Sequence, residues 1–342
     1  MGIPAVFHRN PAPRSTIGRI SEHIKFSIWQ GFNLFPEAKK LIILEDDLLL
    51  SPDFVSYFHQ TAVLLDIDKT IFSINSYNFN SFLPTATDTT RLYREASLPT
   101  CGWMITRELS RELLTEWAYK ASSVDWDLYV RVVIQKGRNI IAPEVPRTFH
   151  DGHGGAHATG WEQQLHYNRR PLNMDPHSRV NISYLTLNEY ESYLEDELKI
   201  ATVIQITEHP CKKQYIPSKK TGNFIVYYYG EAENDEHLSY FTLISCLNGY
   251  ERSRMEHYHL VHQLGYYGNH VYVIACPGSV YCNVKKKDYS KIVYQATDED
   301  VQLMLQYQIE LLKPITSQHV FTRYPPQTFE EEVSLQNFLI ID

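Results

Sequence analysis

Apolar residues in the first part of the chain alternate between helical spacing and short continuous runs. Isoleucines recur every three or four residues between positions 17 and 28, which predicts a helix over residues 16–34. Apolar runs at 41–44 and 70–74 are typical of strands buried on both faces, and Ser51-Pro52-Asp53 predicts the start of a helix between them. This order of helix, strand, helix and strand predicts a mostly parallel sheet and an α/β fold.

The middle of the chain continues this alternation. The predicted elements are a short strand at 91–94, helices at 106–118 and 126–136, and a strand at 139–142. A stretch at 75–90 that is rich in Asn, Ser and Thr predicts a long loop. Residues 148–160 hold four glycines and three histidines, which predicts a mobile surface loop.

The pattern changes beyond about residue 185. Strands at 224–229 and 271–275 alternate with a helix near 237–247, and together they predict a smaller α+β unit. A Thr-Asp-Glu-Asp segment at 297–300 is typical of a helix start, and the helical pattern then runs to residue 312. The expected segments are an irregular N-terminus at 1–15, an α/β domain at 16–185, an α+β domain at 186–296, and a helix and tail of unknown role at 297–342.

Composition and charge exclude several classes of protein. The chain has 342 residues, 43% of them hydrophobic and 13% aromatic, so it can bury a core and is neither disordered nor fibrous. Lys and Arg number 32 against 40 Asp and Glu, and no basic stripe extends beyond residues 285–287, so no nucleic-acid partner is expected. Five scattered cysteines without a CxxC motif do not form a disulfide scaffold, and they leave the compartment open.

The sequence contains neither a signal peptide nor a membrane anchor. Residues 1–14 include three prolines and no apolar run. The best apolar stretch, at 41–50, is interrupted by three acids and is shorter than the ~20 residues that a membrane span needs. We therefore expect a soluble chain. Asn181-Ile182-Ser183 is an acceptor pattern for N-glycosylation.

Three consecutive acids, Glu45-Asp46-Asp47, directly follow the apolar run at 41–44. In open α/β sheets, ligands bind beyond the carboxyl ends of the strands. Adjacent carboxylates repel one another unless a cation lies among them, and carboxylate oxygens suit Mg²⁺ or Mn²⁺. A sugar-nucleotide diphosphate would supply further oxygen ligands. A solvated acidic loop is the alternative, but the position directly after a buried strand favours a metal site.

Two more acids flank Trp126 where the helix at 126–136 is predicted to begin. An acid beside an indole can lie in a partly desolvated pocket, where its pKa rises and it can act as a general base. Asp125 and Asp127 are therefore both candidates for a catalytic base. The alternative is a structural one, in which Asp125 caps the N-terminus of the helix.

Histidines 150, 153 and 157 lie close to Asp151 in the glycine-rich segment. Such residues could bind zinc and support a metallohydrolase. The surrounding glycines argue against fixed ligands, and no HExxH motif occurs. A loop that closes over a diphosphate explains the same composition equally well.

Several short motifs follow one another along the chain in a specific order. They are Phe32-Asn33-Leu34-Phe35-Pro36-Glu37-Ala38, Leu44-Glu45-Asp46-Asp47, Ser51-Pro52-Asp53-Phe54, Leu92-Tyr93-Arg94, Gly102-Trp103, Trp126-Asp127, Gly137-Arg138 and Pro143-Glu144-Val145-Pro146-Arg147-Thr148. In this order the motifs resemble the β-1,2-N-acetylglucosaminyltransferases, the family of N-acetylglucosaminyltransferase I and the protein O-linked-mannose enzyme. The resemblance covers roughly residues 16–290, and Cys246-Leu247, Gly268-Asn269-His270 and Val284-Lys285-Lys286 are more similar to the O-mannose branch.

The resemblance implies a GT-A fold with Mn²⁺ as cofactor and a location in the Golgi apparatus. The implied reaction is an inverting transfer of N-acetylglucosamine from UDP-N-acetylglucosamine to the 2-hydroxyl of mannose on a glycoprotein. In this family's pattern Asp47 is the metal ligand, Asp127 is the catalytic base, and the substrate-binding residues are Glu45, Asp46, Trp126, His23 and Trp103. The loop at 150–157 corresponds to one that folds over the bound donor.

Some segments differ from the family's pattern. Residues 75–80, Thr100-Cys101 and residues 130–136 depart from it, which leaves open whether the acceptor is an N-glycan mannose or an O-mannose on a peptide. Family members carry further strands before the first helix, a stem and a membrane anchor. We therefore expect an N-terminally truncated GT-A domain whose membrane association would depend on a segment absent from this chain. A catalytically inactive carbohydrate-binding relative is the main alternative, and a zinc hydrolase is the third.

Overall fold

A computed structural model of the chain describes residues 5–11, 15–97, 100–117, 125–152, 163–164, 166–232, 238–247, 256–285, 290 and 292–311. The helices are α1 (Thr16–Leu34), α2 (Phe54–Thr61), α3 (Leu64–Ile67), α4 (Arg107–Glu116), α5 (Trp126–Tyr129), α6 (Leu187–Ile200), α7 (Leu238–Cys246) and α8 (Asp298–Leu311). The strands are β1 (Lys40–Ile43), β2 (Leu48–Leu50), β3 (Ile71–Asn75), β4 (Leu92–Glu95), β5 (Trp103–Thr106), β6 (Asn139–Pro143), β7 (Thr148–His150), β8 (Thr202–Ile204), β9 (Asn223–Gly230), β10 (Val261–Tyr266) and β11 (Asn269–Pro277).

The first sheet has the strand order β1-β5-β3-β6-β4. Only β3 and β6 pair in parallel, whereas the β1–β5, β3–β5 and β4–β6 pairs are antiparallel. The prediction of a mostly parallel sheet is therefore wrong for the described strands. The order of helices and strands indicated that β1, β3 and β6 run in the same direction. It did not indicate that β5 lies between β1 and β3 and runs in the opposite direction.

A second sheet, in the order β10-β11-β9-β8, belongs to the later part of the chain. Its strands β8, β9 and β11 are parallel, and β10 forms an antiparallel hairpin with β11. Tyr267 and Gly268 form the hairpin turn with φ angles of 50° and 80°, which suit a type I′ turn. The fold is thus mixed α/β with parallel and antiparallel pairing, and it agrees with the predicted α/β class.

Helices predicted from apolar periodicity lie where they were expected. Helix α1 spans the predicted residues, and the Ser15 hydroxyl caps it by accepting a hydrogen bond from the Gly18 amide at 3.1 Å. The predicted helix at 126–136 begins as α5 and continues as a single π-helical turn over Val130–Ile134. At the start of α8, the Thr297 hydroxyl accepts from the Asp300 amide at 3.2 Å, which confirms the predicted cap.

The predicted surface loop at 148–160 is wrong at its beginning. Residues Thr148–His150 form β7, which pairs antiparallel with β2, and all three residues are buried. Apolar burial explains this difference, because the side chain of Phe149 is fully enclosed. Residues 153–160 lie outside the described part of the chain. The predicted loop at 75–90 is irregular, but most of its residues from 75 to 82 are buried.

Two disulfides connect four of the five cysteines. Cys211 is bonded to Cys246, and Cys276 to Cys282, whereas Cys101 is a buried free thiol. Disulfides persist in oxidising compartments, so this pairing favours passage through the secretory pathway. None of the described helices is long and apolar enough to cross a bilayer.

Candidate functional site

The acid triplet lies at the turn between β1 and β2. Glu45 and Asp47 are half-buried and Asp46 is exposed. Strand β2 pairs with β7 so that Leu48 lies opposite His150, and this pairing brings His150 to Asp47. The end of β1 is therefore a place where two acids and an imidazole converge.

The Asp47 and His150 side chains are in polar contact at this edge. His150 Nε2 lies 3.4 Å from Asp47 Oδ2, and the Asp151 amide donates to the Asp47 carbonyl oxygen at 2.8 Å. The second carboxylate oxygen, Asp47 Oδ1, is buried and has no hydrogen-bond partner among the described residues. A buried carboxylate oxygen is costly without a partner, so this position suits a bound cation.

The orientation of the His150 ring is set by residues that follow the glycine-rich segment. The ring stacks on Tyr167 at 3.9 Å between centroids. Gln163 donates through Nε2 to the His150 carbonyl oxygen and to Asn168 Oδ1, so its Oε1 is the acceptor that faces His150 Nδ1 at 3.3 Å. This arrangement places the proton of neutral His150 on Nδ1 and leaves Nε2, which faces Asp47, as a lone-pair donor.

Gly152 leaves room for the Asp47 carboxylate. A Cβ atom at this position would lie 2.3 Å from Asp47 Oδ2 and 3.0 Å from His150 Cε1. Such contacts are far inside van der Waals distance, so any larger residue would displace one of the two side chains. The absence of a side chain at Gly152 is thus required by the positions of Asp47 and His150.

The electrostatics of Glu45 connect the triplet to Asp127. Burial is the largest cause of a raised pKa at Glu45, which reaches about 7. The charges of Asp47, then Asp127 and then Asp46 raise it further. Negative charge is therefore crowded around Glu45, and Asp127 contributes to it from the start of α5.

The buried thiol of Cys101 is under the influence of the same carboxylates. Burial raises the pKa of Cys101 well above its usual value, and the charges of Glu45, Asp47 and Asp127 raise it further. Arg170 acts on the thiol in the opposite sense and brings a positive charge into the same region. Glu45, Asp47 and Asp127 thus share one electrostatic environment around Cys101.

Asp127 lies on a half-exposed position of α5, next to a stack of three indoles. Its Oδ1 accepts a hydrogen bond from the Leu128 amide at 2.8 Å. The Trp126 ring stacks between Trp103 and Trp117, with 5.9 Å between centroids on either side. Trp103 is 0% exposed and packs behind Trp126, which itself is almost fully buried. Asp125 occupies the N-cap position without a side-chain hydrogen bond to the helix.

His23 is exposed on α1. Its ring lies 5.3 Å from that of His8, and its carbonyl oxygen accepts from the Ser27 hydroxyl at 2.8 Å. Within the described residues these contacts are all local, and none of them reaches the acid triplet. The structure therefore brings Glu45, Asp46, Asp47 and Asp127 together and leaves His23 apart from them.

Two of the short motifs are connected by a buried ion pair. Arg147 Nε donates to Asp53 Oδ2 at 3.0 Å, and both side chains are completely buried. The Ser51 hydroxyl donates to the other Asp53 oxygen at 2.7 Å. Because Asp53 precedes α2 and Arg147 precedes β7, this pair fixes the segments that follow Asp47 and carry His150.

The candidate metal ligands differ in how well they fit an ion. Asp47, with a buried unpartnered oxygen and a crowded carboxylate neighbour in Glu45, provides hard oxygen donors suited to Mg²⁺ or Mn²⁺. A second group, His209 with Cys211 and Cys246, lies within 4.8 Å, but its two sulfurs form a disulfide and are not thiolate ligands. The histidines at 153 and 157 proposed for zinc lie outside the described residues.

His150 and Gly152 are the residues whose place at this site the sequence did not indicate. The sequence predicts His150 as a zinc ligand or as part of a loop that closes over a diphosphate, because β2 gives no alternating pattern that would predict its pairing with β7. It predicts Gly152 as a source of mobility. The three leucines of β2, directly after the acids, are the one signal that a short strand follows there.

Comparison with known proteins agrees with the motifs. The GNT-I family model matches residues 9–253, which is well over half of the chain. A curated relative from Arabidopsis thaliana, alpha-1,3-mannosyl-glycoprotein 2-beta-N-acetylglucosaminyltransferase, is 34% identical over 221 residues, which are 62% of this chain and 47% of the relative. The chain thus spans about half the length of the curated relative that it matches. With most of its length matched, the chain belongs to the GNT-I family.

Proposed function

We propose that the chain is a glycosyltransferase that transfers N-acetylglucosamine from UDP-N-acetylglucosamine to the 2-hydroxyl of a mannose on a glycoprotein, with inversion at the anomeric carbon. Membership of the GNT-I family supports this activity, as does the activity that the name of the Arabidopsis relative states. The same support extends to a role in protein glycosylation in the Golgi apparatus.

The match of the GNT-I family model to residues 9–253 is the observation that carries the proposal, and the electrostatics of Glu45 agree with it. The pKa of Glu45 reaches about 7 because burial and then the charges of Asp47 and Asp127 disfavour its ionised form. Asp127 is far from the triplet in sequence, so its influence on Glu45 is a consequence of the fold. A transferase of this class needs a metal-binding acid and a catalytic base around one donor sugar, and this arrangement supplies both kinds of group.

Asp127 is the base in the proposed reaction. It accepts the proton of the acceptor hydroxyl as that oxygen attacks the anomeric carbon, and a positioned base contributes ~10²–10⁴-fold to such a step. Its Oδ1 already accepts from the Leu128 amide, which orients the carboxylate. Inversion requires the base on the side of the sugar opposite the leaving group, and a half-exposed residue at the start of α5 can meet an incoming acceptor.

Asp47 and Glu45 would hold Mn²⁺, with His150 Nε2 beside them. When bound, Mn²⁺ neutralises the negative charge of the diphosphate leaving group. Glu45 also contacts the donor sugar, and Asp46 contributes to the substrate-binding edge. The crowding of carboxylates around Glu45 explains why these residues suit a cation.

The family resemblance suggests the remaining substrate contacts. In this proposal Trp126 borders the sugar site, and Trp103, stacked on its ring, holds that ring in place. The role proposed for Trp103 is thus support of a substrate contact. His23 on α1 lies near the uridine in this proposal, and its exposed ring is available to a nucleotide.

The division of the chain into units is part of the proposal. In this proposal residues 16–185 form a GT-A domain, residues 186–296 form an α+β domain, and α8 belongs to a further segment at 297–342. A continuous apolar cluster that includes Phe58, Ile141, Tyr190 and Ile274 packs across the boundary near 185.

A transfer assay tests the proposal. The purified chain is incubated with labelled UDP-N-acetylglucosamine and Mn²⁺, with an N-glycan acceptor and an O-mannosyl peptide in parallel. We expect transfer to one of the two acceptors that stops when a chelator removes the metal. Metal-dependent UDP binding without transfer to either acceptor would favour a catalytically inactive relative, and the absence of both would contradict the proposed function.

A further inference from the structure

The chain carries a single Asn-x-Ser/Thr pattern in which the middle residue is not proline, at Asn181-Ile182-Ser183. This segment precedes α6 and lies on the surface. Asn181 and Ser183 are both exposed, whereas Ile182 is partly buried and packs against the apolar core. The two residues that an N-glycosylating enzyme recognises therefore face solvent, and the residue between them anchors the segment.

The Asn181 side chain has a defined orientation. Its Oδ1 accepts hydrogen bonds from the Ser183 amide at 3.1 Å and from the Ser183 hydroxyl at 2.8 Å. The amide nitrogen Nδ2, the atom that would carry a sugar, makes no hydrogen bond to the described part of the chain. A glycan on Nδ2 would thus leave both of these hydrogen bonds in place.

The backbone around Asn181 is held from two sides. The Asn181 amide donates to the Thr90 carbonyl oxygen at 2.9 Å, and the preceding Val180 amide donates to Gln60 Oε1 at 3.0 Å. These contacts keep the segment on the surface beside the start of β4. A folded chain would therefore accommodate a bulky substituent at Asn181 without any displacement of its core.

We infer that Asn181 is an N-glycosylation site. In the covalent step, Asn181 Nδ2 forms a bond to the anomeric carbon of an oligosaccharide carried on a lipid pyrophosphate. The bond between that carbon and the pyrophosphate oxygen breaks, and the lipid pyrophosphate leaves with the electron pair. The proton lost from Nδ2 passes to a base of the oligosaccharide transferase. The two disulfides agree with this site, because disulfides form in the oxidising secretory compartment in which N-glycosylation also takes place.

The glycan would lie away from the acid triplet. Thr90, to which Asn181 is hydrogen bonded, precedes edge strand β4, and the triplet follows β1 at the other edge of the sheet. Four strand spacings separate the two edges, which corresponds to ~19 Å at about 4.8 Å per spacing. We therefore expect a glycan at Asn181 to leave the candidate site open.

The test is expression of the full chain with a cleavable secretion signal in cultured animal cells. The secreted wild-type protein should show one form that peptide N-glycosidase F converts to higher mobility. Release in ¹⁸O-labelled water should convert Asn181 to a labelled Asp, which peptide mass spectrometry detects. The shift should vanish completely in Asn181→Gln and in Ser183→Ala.

Two further variants control for misfolding. Ser183→Thr keeps the acceptor pattern and should retain the glycan, and Asn188→Gln changes an exposed asparagine that has no Ser or Thr two positions later. A secreted wild-type protein without a glycan, or a glycan that persists in Asn181→Gln, would overturn the inference. These readouts do not require transferase activity, so they are independent of the outcome for the proposed function.

Discussion

His150 Nε2 lies 3.4 Å from Asp47 Oδ2, and the two residues are brought together by the antiparallel pairing of β2 with β7. Asp47 is the acid proposed to bind Mn²⁺. Because His150 donates its Nδ1 proton towards Gln163, its Nε2 lone pair is directed to the side where the ion would lie. His150 is thus placed to share the ion with Asp47.

Replacement of His150 by glutamine should weaken Mn²⁺ binding. Loss of a residue that orients or supplements a metal ligand typically lowers metal affinity by about 10–100-fold. We expect the Mn²⁺ concentration for half-maximal UDP binding, measured by calorimetric titration, to rise by a factor in this range. The exposed His177 provides the matched control, and His177→Gln should bind Mn²⁺ as the wild type does. Identical titrations of the His150 variant and the wild type would contradict this role.

Substitution of Gly152 by alanine should disturb the same contact by a steric route. The new Cβ would lie 2.3 Å from Asp47 Oδ2, so the carboxylate or the loop must move. We expect weaker Mn²⁺-dependent UDP binding, together with an overpacking cost of about 1–3 kcal/mol in the free energy of unfolding.

The control for this variant is Gly137→Ala. Gly137 has a φ of +72° and open space around its Cβ position, so alanine there meets backbone strain of about 1–2 kcal/mol without a steric clash. It should lower stability and leave the UDP titration unchanged. Equal Mn²⁺-dependent UDP binding by Gly152→Ala and the wild type would show that this binding does not depend on the position of the Asp47 carboxylate.

The buried ion pair between Asp53 and Arg147 should be important for stability. Arg147→Met leaves the Asp53 carboxylate buried without its partner, which typically costs 3–5 kcal/mol, so about that loss is expected in urea unfolding. Addition of Asp53→Asn should recover part of it, because the uncompensated charge is then absent. The half-exposed pair of Lys40 and Asp66 is the comparison, where Asp66→Asn should cost at most about 1 kcal/mol. Equal effects at the two pairs would contradict this account.

Glu95 should make stability depend on pH. Its carboxyl is buried, neither oxygen has a hydrogen-bond partner among the described residues, and burial followed by the charge of Glu256 raises its pKa well above the usual 4.5. Above pH 4.5 the unfolded chain releases this proton while the folded chain retains it. The free energy of unfolding therefore falls as pH rises, by about 1.4 kcal/mol for each unit of pKa difference.

Glu95→Gln removes this titration. The variant should match the wild type near pH 4 and exceed its stability at pH 8, as urea unfolding at the two pH values can measure. Glu108→Gln, at an exposed position on α4, should change neither value appreciably. A variant that is much less stable than the wild type at pH 8 would show that the ionised Glu95 carboxylate stabilises the fold, and would contradict the expectation.

Local periodicity was sufficient to predict most of the elements that build the first sheet. The isoleucines of α1 and the apolar runs of β1 and β3 each bury a face, and burial produces the pattern by which they were recognised. Because the acid triplet directly follows the apolar run of β1, its position at the carboxyl end of that strand could also be predicted. The insertion of β5 between β1 and β3 has no local signal, because pairing between distant strands depends on the whole fold.

The candidate site was predictable only in part for the same reason. Glu45, Asp46, Asp47 and Asp127 were identified from the strand end, the indole neighbour and the family resemblance. Their common electrostatic environment was not visible in the sequence, since it depends on how α5 packs against β5 through Trp126 and Trp103. Trp103 illustrates the opposite case, because a motif residue expected at the substrate lies fully buried behind Trp126.

The measurement that tests the account most directly is calorimetric binding of UDP to Asp47→Asn and Asp127→Asn, with and without Mn²⁺, alongside the transfer rate of each variant. If Asp47 binds the ion and Asp127 acts as the base, Asp47→Asn loses Mn²⁺-dependent UDP binding. Asp127→Asn keeps that binding and loses about 10²–10⁴-fold in transfer. Full transfer by Asp127→Asn, or unchanged Mn²⁺-dependent UDP binding by Asp47→Asn, would contradict the account.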